Sequence, residues 1–221
     1  MSLSNGSRVV TIEGLIGCGK SVLVQSLRES PAIFERFDDV VVFAEPIKPR
    51  TLHAYLDNQK KYAFSFQTNV ALKRLFIVTE AKRLAHEKPR CLVLIDRGIG
   101  GDQAFALAQL RLGFFGEEEY SLYREEIGAD DGTLEALDSE PGFLTVYARC
   151  QPLTSWERTK KRANRDETKT YDEKYMKTIF DAHEEILKQN AVVVDWDTDK
   201  EIVNGKLTEA DVRRFIEAIE L

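Results

Sequence analysis

Eight consecutive residues near the start of the chain carry its most specific chemistry: Gly14-Leu15-Ile16-Gly17-Cys18-Gly19-Lys20-Ser21 fits G-x-x-x-x-G-K-[S/T] at every fixed position. The apolar run Val9–Glu13 precedes it and the helical-looking Val22–Arg28 follows. Glycines at these places let backbone N–H groups close around a phosphate chain, and the helix N-terminus adds about half a positive charge. Lys20 is expected to reach the β- and γ-phosphates and Ser21 to ligate Mg²⁺, with the nucleotide held by Gly14, Leu15, Ile16, Gly17, Cys18, Gly19, Lys20, Ser21 and Val22. The same loop serves kinases, ATPases and switches, so it does not name the reaction.

Two acid-containing pairs end other strand-like runs, Glu45-Pro46 and Asp96-Arg97. In an open parallel sheet, ligands sit beyond the carboxyl ends of the strands, which is where these residues fall. Phosphoryl transfer to a hydroxyl needs a base for the proton, a metal between the phosphates and cations around the moving group. Glu45 is expected to be the base, Asp96 the second metal residue beside Ser21, and Lys20 and Arg97 the cations. A GTPase is set aside: the third strand lacks a following D-x-x-G, and no N-K-x-D run occurs.

The elements that position these residues follow from period. Val9–Glu13, Val40–Glu45, Cys91–Asp96, Leu144–Arg149 and Ala191–Trp196 read as buried strands. Lys20–Glu29, Tyr62–Glu87, Glu117–Ile127, Leu153–Arg165, Tyr171–Gln189 and a last stretch from about Glu209 to Leu221 read as helices, with Thr208 as the N-cap of the last. The acidic, glycine-bearing Gly128–Gly142 reads as a surface loop. Alternation of strand and helix predicts an α/β fold with one parallel sheet. Gln67 and Arg74, seven residues apart, project from one helix face with Ala71 between them; Asp102 is positioned to pair with Arg74 and to accept from an exocyclic amine.

The loop in E-G-x-I-G-x-G-K-S form, Glu45-Pro46, Phe66-Gln67, Asp96-Arg97 and the basic stretch after Gln151-Pro152 together resemble the deoxyribonucleoside kinase family. The similar branch is the one with deoxycytidine, deoxyguanosine and bacterial deoxyadenosine kinases, and the resemblance covers nearly the whole chain. It implies a P-loop kinase fold with a five-stranded parallel sheet, one domain over 1–221 with an arginine-rich lid at about 157–168, and usually a homodimer. The implied reaction moves the γ-phosphate of ATP or another triphosphate, with Mg²⁺, to the 5′-hydroxyl of a deoxynucleoside in nucleotide salvage. Deoxycytidine or a purine deoxynucleoside is the expected acceptor.

By the same resemblance Gln67 pairs with the base beside Phe66, Phe105 forms an opposite wall, Arg74 and Asp102 read the base, and Glu167 and Tyr55 hold the 3′-hydroxyl. Tyr55 needs a one-residue shift in register, since Leu56 occupies the ungapped position. In the lid, Arg158 lies over the adenine and Arg162 contacts the transferred phosphate; Asp199 belongs to a run resembling the nucleotide-base loop. The chain departs from the family at Asp96-Arg97-Gly98, where most animal members have Glu-Arg-Ser, and at Asn164, where many have a second lid arginine. The nearest alternative is a thymidylate kinase-like monophosphate kinase; a non-catalytic P-loop binding module is the other.

Composition narrows the partners. Of 221 residues, 31 are Lys or Arg and 37 Asp or Glu, a net charge of −6 that opposes nucleic acid and leaves room for a small anion in a local positive pocket. No apolar run approaches the ~20 residues of a membrane span, and the first residues carry neither a signal core nor an Arg-rich leader, which predicts a cytoplasmic chain. The stretch Phe114-Phe115 with Tyr120–Tyr123 is the expected apolar dimer face.

Overall fold

The structure, a computed structural model, describes residues 3–133, 139–162, 165–196 and 202–221, leaving aside the side chains of 165–167 and 202–203. Strands β1 (Arg8–Glu13), β2 (Asp39–Phe43), β3 (Cys91–Asp96), β4 (Phe143–Arg149) and β5 (Val192–Asp195) form a parallel sheet in the order β2-β3-β1-β4-β5. A short hairpin, β6 (Ile202–Val203) with β7 (Lys206–Leu207), stands apart from it. Among the described residues the helices are α1 (Lys20–Glu29), α2 (Pro31–Phe34), α3 (Pro49–Asp57), α4 (Gln59–Glu87), α5 (Ile99–Arg111), α6 (Glu117–Glu126), α7 (Pro152–Lys161), α8 (Arg165–Thr170), α9 (Glu173–Leu187) and α10 (Glu209–Ala218).

Strand side chains divide by the period of two. Val9, Cys91, Val93 and Ile95 enter a core closed by α3, α4, α5, α6 and α9, while Val10, Ile12, Leu92 and Leu94 enter a second core under α1, α2 and α10. Burial on both faces is why the strand runs are apolar throughout and carry no alternating polar face. The α/β class and the five-stranded parallel sheet are thus as expected. Thr208 caps α10 by accepting from the Asp211 N–H at 3.2 Å.

Three helices escape periodicity. α5 starts among Gly98, Gly100 and Gly101, which disfavour helix, and it buries Ala104, Ala106, Leu107, Ala108 and Gln109, so no polar stripe marks it. α2 and α3 are short and each begins at a proline, Pro31 and Pro49. Of the helix expected through Arg165, α7 runs to Lys161 with Arg162 as its C-cap and α8 starts at Arg165, the two residues between them lying outside the described residues. Part of the Gly128–Gly142 loop, residues 134–138, lies outside the described residues, as does Asn164.

Parallel register brings three charged residues together. Ile95 pairs with Thr11 on one side and with Phe43 on the other. Two residues further along each chain stand Glu13, Arg97 and Glu45, level with one another at the carboxyl end of the sheet. The phosphate-type loop leaves from β1 at the same end, and α7 lies across it. Ser155 donates its hydroxyl proton to the Ile16 carbonyl, and Thr159 does so at 3.4 Å.

Gly17 has φ +77°, and a Cβ there would fall 2.3 Å from Thr159 Oγ1 and 2.7 Å from the Ser155 carbonyl. Gly17→Ala must therefore displace either the loop or α7, a strain of about 1–3 kcal/mol. The expected outcome is a lower midpoint of thermal unfolding together with a raised KM for the nucleotide; a variant unchanged in both would separate α7 from the loop.

Candidate active site

A single cavity of about 520 Å³ runs from the loop to α4 and α5. Ile16, Gly17, Cys18, Gly19, Lys20, Ser21 and Val22 form one end, and Tyr55, Phe66, Gln67, Arg74 and Phe105 line it further along, with Glu45, Asp96, Arg97, Arg158 and Arg162 also in its wall. Almost every residue singled out from the sequence thus faces one space. Gly14 and Leu15 do not line it, and Leu15 is fully buried; both contribute backbone carbonyls that accept from Lys20 Nζ, at 3.1 and 2.8 Å. Asp199 and the Glu167 side chain lie outside the described residues.

At the centre of the cavity wall the Glu45 carboxylate accepts from Arg97 Nε at 2.9 Å and from Arg74 Nη2 at 2.5 Å. Burial would raise its pKa, but Arg97, Arg74 and Lys20 outweigh burial and hold it at about 2. Glu45 is therefore ionised across the physiological range. Arg97 itself has φ +69°, a left-handed backbone that a side chain with a Cβ rarely adopts, and its guanidinium lies 4.6 Å from the centre of the Phe105 ring. Its Nη1 has no partner among the described residues.

Ser21 donates to Asp96 Oδ2 at 2.7 Å, while Asp96 Oδ1, buried, has no hydrogen-bond partner among the described residues. A hydroxyl and a carboxylate side by side, with an acceptor oxygen left over, fit a hard cation such as Mg²⁺, which needs few protein ligands when phosphate oxygens and waters complete its shell. Arg158 Nη1 donates to the carbonyls of Cys18 at 3.3 Å and Trp196 at 3.4 Å, tying α7 to the loop.

The end reached by α4 and α5 differs from expectation in one respect. Asp102 is fully buried and does not line the cavity: Oδ1 accepts from Arg74 Nη1 and Oδ2 from the Tyr123 hydroxyl at 2.8 Å. Held behind the wall with Arg74 and Tyr123 as donors and the Gln67 amide beside it, this carboxylate positions Arg74. Tyr55 does face the cavity, stacked on Phe66 with ring centres 4.5 Å apart, and its hydroxyl lies 3.4 Å from that of Tyr175; Leu56 is absent from the wall.

Sequence reasoning missed Glu13, Gln109, Tyr123, Tyr171 and Tyr175. Glu13 is fully buried, accepts from the Gly98 N–H at 3.0 Å, and is pressed by Gly101, where a Cβ would lie 2.2 Å from Oε2. Burial raises its pKa against the pull of Arg97. Gly98 has its own reason, since a Cβ there would fall 2.6 Å from Thr11 Cγ2. Tyr123 had been assigned with Phe114, Phe115 and Tyr120 to an apolar outer face, but Tyr123 and Phe115 are buried. Its only sequence signal was an aromatic on an acidic helix.

A parallel sheet of this order with a phosphate-binding loop after its central strand defines a P-loop nucleotide-binding protein. Residues 10–219 match the deoxynucleoside kinase family, and the chain belongs to it. It is an enzyme of that activity, phosphorylating deoxynucleosides. It is 25% identical over 222 residues to deoxycytidine kinase 2 of Gallus gallus, covering 88% of this chain and 79% of that protein. Its fold is that of deoxyadenosine kinase from M. mycoides with bound dATP, at a TM-score of 0.69 and 21% identity over 97% of this chain and 100% of the other. The same kinase with bound dCTP gives 0.68 and 21% over 96% and 98%.

Two outcomes test the packing behind the site. Tyr123→Phe leaves a buried carboxylate oxygen without its donor and should lower unfolding free energy by about 1–3 kcal/mol in urea denaturation at neutral pH. His183, fully buried against Phe105 with its Nδ1 2.8 Å from the Ile179 carbonyl, is held neutral, its pKa lowered by burial and then by Arg97 to about 3. The unfolded chain binds that proton below pH 6.5 while the folded chain refuses it until about pH 3, so stability falls as pH drops through this window. His183→Leu should flatten the decline in melting temperature between pH 6.5 and 4; an equally steep decline would place the acid sensitivity elsewhere.

Proposed function

We propose that this kinase transfers the γ-phosphate of ATP, or of another nucleoside triphosphate, to the 5′-hydroxyl of deoxycytidine or a purine deoxynucleoside, a step of nucleotide salvage. The observation that carries the reading is that the Glu45 carboxylate, in the grip of two guanidiniums, lines the same cavity as Lys20 and Ser21. A monophosphate acceptor would need no such base and would meet Glu45 as a like charge, which argues against the thymidylate kinase alternative.

In this mechanism the triphosphate lies on the loop, with Lys20 released from the loop carbonyls to its β- and γ-phosphates. Arg158 packs over the adenine. The sugar sits beside Glu45, with its 3′-hydroxyl toward Tyr55 and Glu167. As the bond between the γ-phosphorus and the bridging oxygen breaks and the 5′-oxygen bonds to phosphorus, Glu45 takes the 5′-hydroxyl proton. The nucleoside diphosphate leaves with the bridging oxygen and its electron pair. A carboxylate of low pKa suits a loose transition state, because the hydroxyl becomes acidic only once its oxygen is bonding to phosphorus. Arg97, through its unpartnered Nη1, and Arg162, from the end of α7, offset charge on the moving phosphoryl group. Bound Mg²⁺, held by Ser21 and Asp96, would supply charge neutralisation between the phosphates.

The proposal extends to one kinase domain over 1–221 with residues 157–168 as its lid, to the cytoplasm as its place, and to a homodimer. No described helix is long and apolar enough to cross a membrane. For the dimer, Leu72 and Phe76 on α4 and Leu122 on α6 are among the large apolar side chains left to water, and these two helices pack against each other.

Product analysis with the four deoxynucleosides, deoxythymidine monophosphate, and ATP or GTP as donor tests the reading. Glu45→Gln should leave nucleotide binding largely intact and lower turnover by about 10² to 10⁴. Turnover equal to the parent, or phosphorylation of the monophosphate alone, would refute it. Since Glu45 stays ionised down to about pH 2, kcat/KM of the parent should show no acid limb from this group at pH 5 or above.

A further inference from the structure

Beyond the groups assigned so far, the cavity wall holds a buried amide with no role: Gln109, on α5, two turns past Asp102 and only 2% exposed. Its surroundings dictate which way two amides face. The Asp102 backbone carbonyl can only accept, so the Gln67 group 3.1 Å from it is the NH₂. That turns Gln67 Oε1 toward Gln109, and an oxygen there requires a donor, so Gln109 presents its own NH₂ to it. Gln109 Oε1 is then left buried with no partner among the described residues. Reversing the Gln67 amide would set its oxygen against the Asp102 carbonyl and its NH₂ against that of Gln109, two repulsive contacts in place of two hydrogen bonds.

We propose that Gln109 is a specificity-determining residue: it locks the Gln67 amide in the one orientation that reads a base carrying an exocyclic amine beside an unprotonated ring nitrogen. This rests on the reading in which Gln67 pairs with the base. Each end of the Gln67 amide keeps a valence beyond these bonds, a lone pair on Oε1 and a second N–H on Nε2 that also faces the Asp102 carboxylate. Cytosine offers an amine to the lone pair and a ring nitrogen to the N–H; adenine offers the same pair. Uracil, thymine and hypoxanthine present the reverse order, an oxygen where the amine would be and an N–H where the acceptor would be. Against a freely turning glutamine the two orders are equivalent. Against this glutamine they are not, because the turn breaks the bonds from Gln109 and to Asp102. Asp102 lies behind the cavity wall and bonds Arg74 and Tyr123 there.

Two substrate pairs isolate the effect, deoxycytidine against deoxyuridine and deoxyadenosine against deoxyinosine, because each differs by the amine-to-carbonyl exchange with little change in size. The parent enzyme should favour the amine member of each pair in kcat/KM. Gln109→Leu removes the donor to Gln67 Oε1 and should reduce that preference about ten- to a hundredfold, by loss on the amine member and gain on the carbonyl member. Gln109→Met keeps the length and has no donor, so Gln67 Oε1 loses its bond and preference should fall as far. A structural defect would lower both members of a pair together and leave the ratio alone. An unchanged ratio in Gln109→Met, or in Gln109→Leu if only that variant folds by circular dichroism, overturns the lock, as does a parent enzyme that phosphorylates both members equally. A parent enzyme that phosphorylates no deoxynucleoside would instead overturn the proposed function.

Discussion

Five charged side chains run in alternating sign through the site, Asp102, Arg74, Glu45, Arg97 and Glu13, of which Arg74, Glu45 and Arg97 line the cavity. Arg74 touches both Asp102 and Glu45, Glu45 touches both guanidiniums, and Glu13 lies close enough to Arg97 for the two charges to interact. Four of the five are buried, a placement that costs several kcal/mol for an isolated ion and is tolerated only with neighbours of opposite sign. Removing any one member leaves its neighbour uncompensated. The constraint falls on the fold as much as on the chemistry: α4 supplies Arg74, α5 supplies Asp102, and three parallel strands supply the rest.

This arrangement is complete in charge and incomplete in hydrogen bonding. Arg74, Asp96, Arg97 and Gln109, all in the cavity wall, each retain a buried donor or acceptor with no partner among the described residues. Buried polar atoms in folded proteins are almost always paired, so several unpaired ones around a single cavity mark where the protein's own contacts stop and a ligand's begin. The Arg97 backbone adds to this, since a left-handed φ on a side chain with a Cβ persists only where the surroundings hold it. Here the Arg97 N–H donates to the Ile12 carbonyl at 3.1 Å and Glu13 grips the next N–H, so the turn is fixed from β1.

How much of this could be read from the chain follows from how far apart the partners lie. The loop, Glu45-Pro46 and Asp96-Arg97 are local signals at strand ends, and a parallel sheet carries them to one edge whatever else the protein does. Gln67 and Arg74 are legible because seven residues of helix put them on one face. Tyr123, Gln109 and Glu13 were not legible. Tyr123 matters through a bond to a residue 21 positions away on another helix, and Gln109 sits on α5, the helix whose glycines and all-round burial erase its period. Glu13 reads as the last polar residue of a strand until α5 is seen to start against it. Asp102 was legible as Arg74's partner, but the direction of its second oxygen depends on Tyr123.

The alternating chain also links the two ends of the site. Arg74 bonds Asp102 through Nη1 and Glu45 through Nη2, so one guanidinium joins α5 to the residues that follow β2. Drawing Arg74 toward a ligand would weaken its contact with Glu45, and with it one of the charges that hold that carboxylate at low pKa. On the proposed function, occupancy of the far end would then be felt at the carboxylate that receives the proton. The Tyr123 hydroxyl on Asp102 and the bond from Gln67 to the Asp102 carbonyl tie down that far end, so a pull on Arg74 falls on its bond to Glu45.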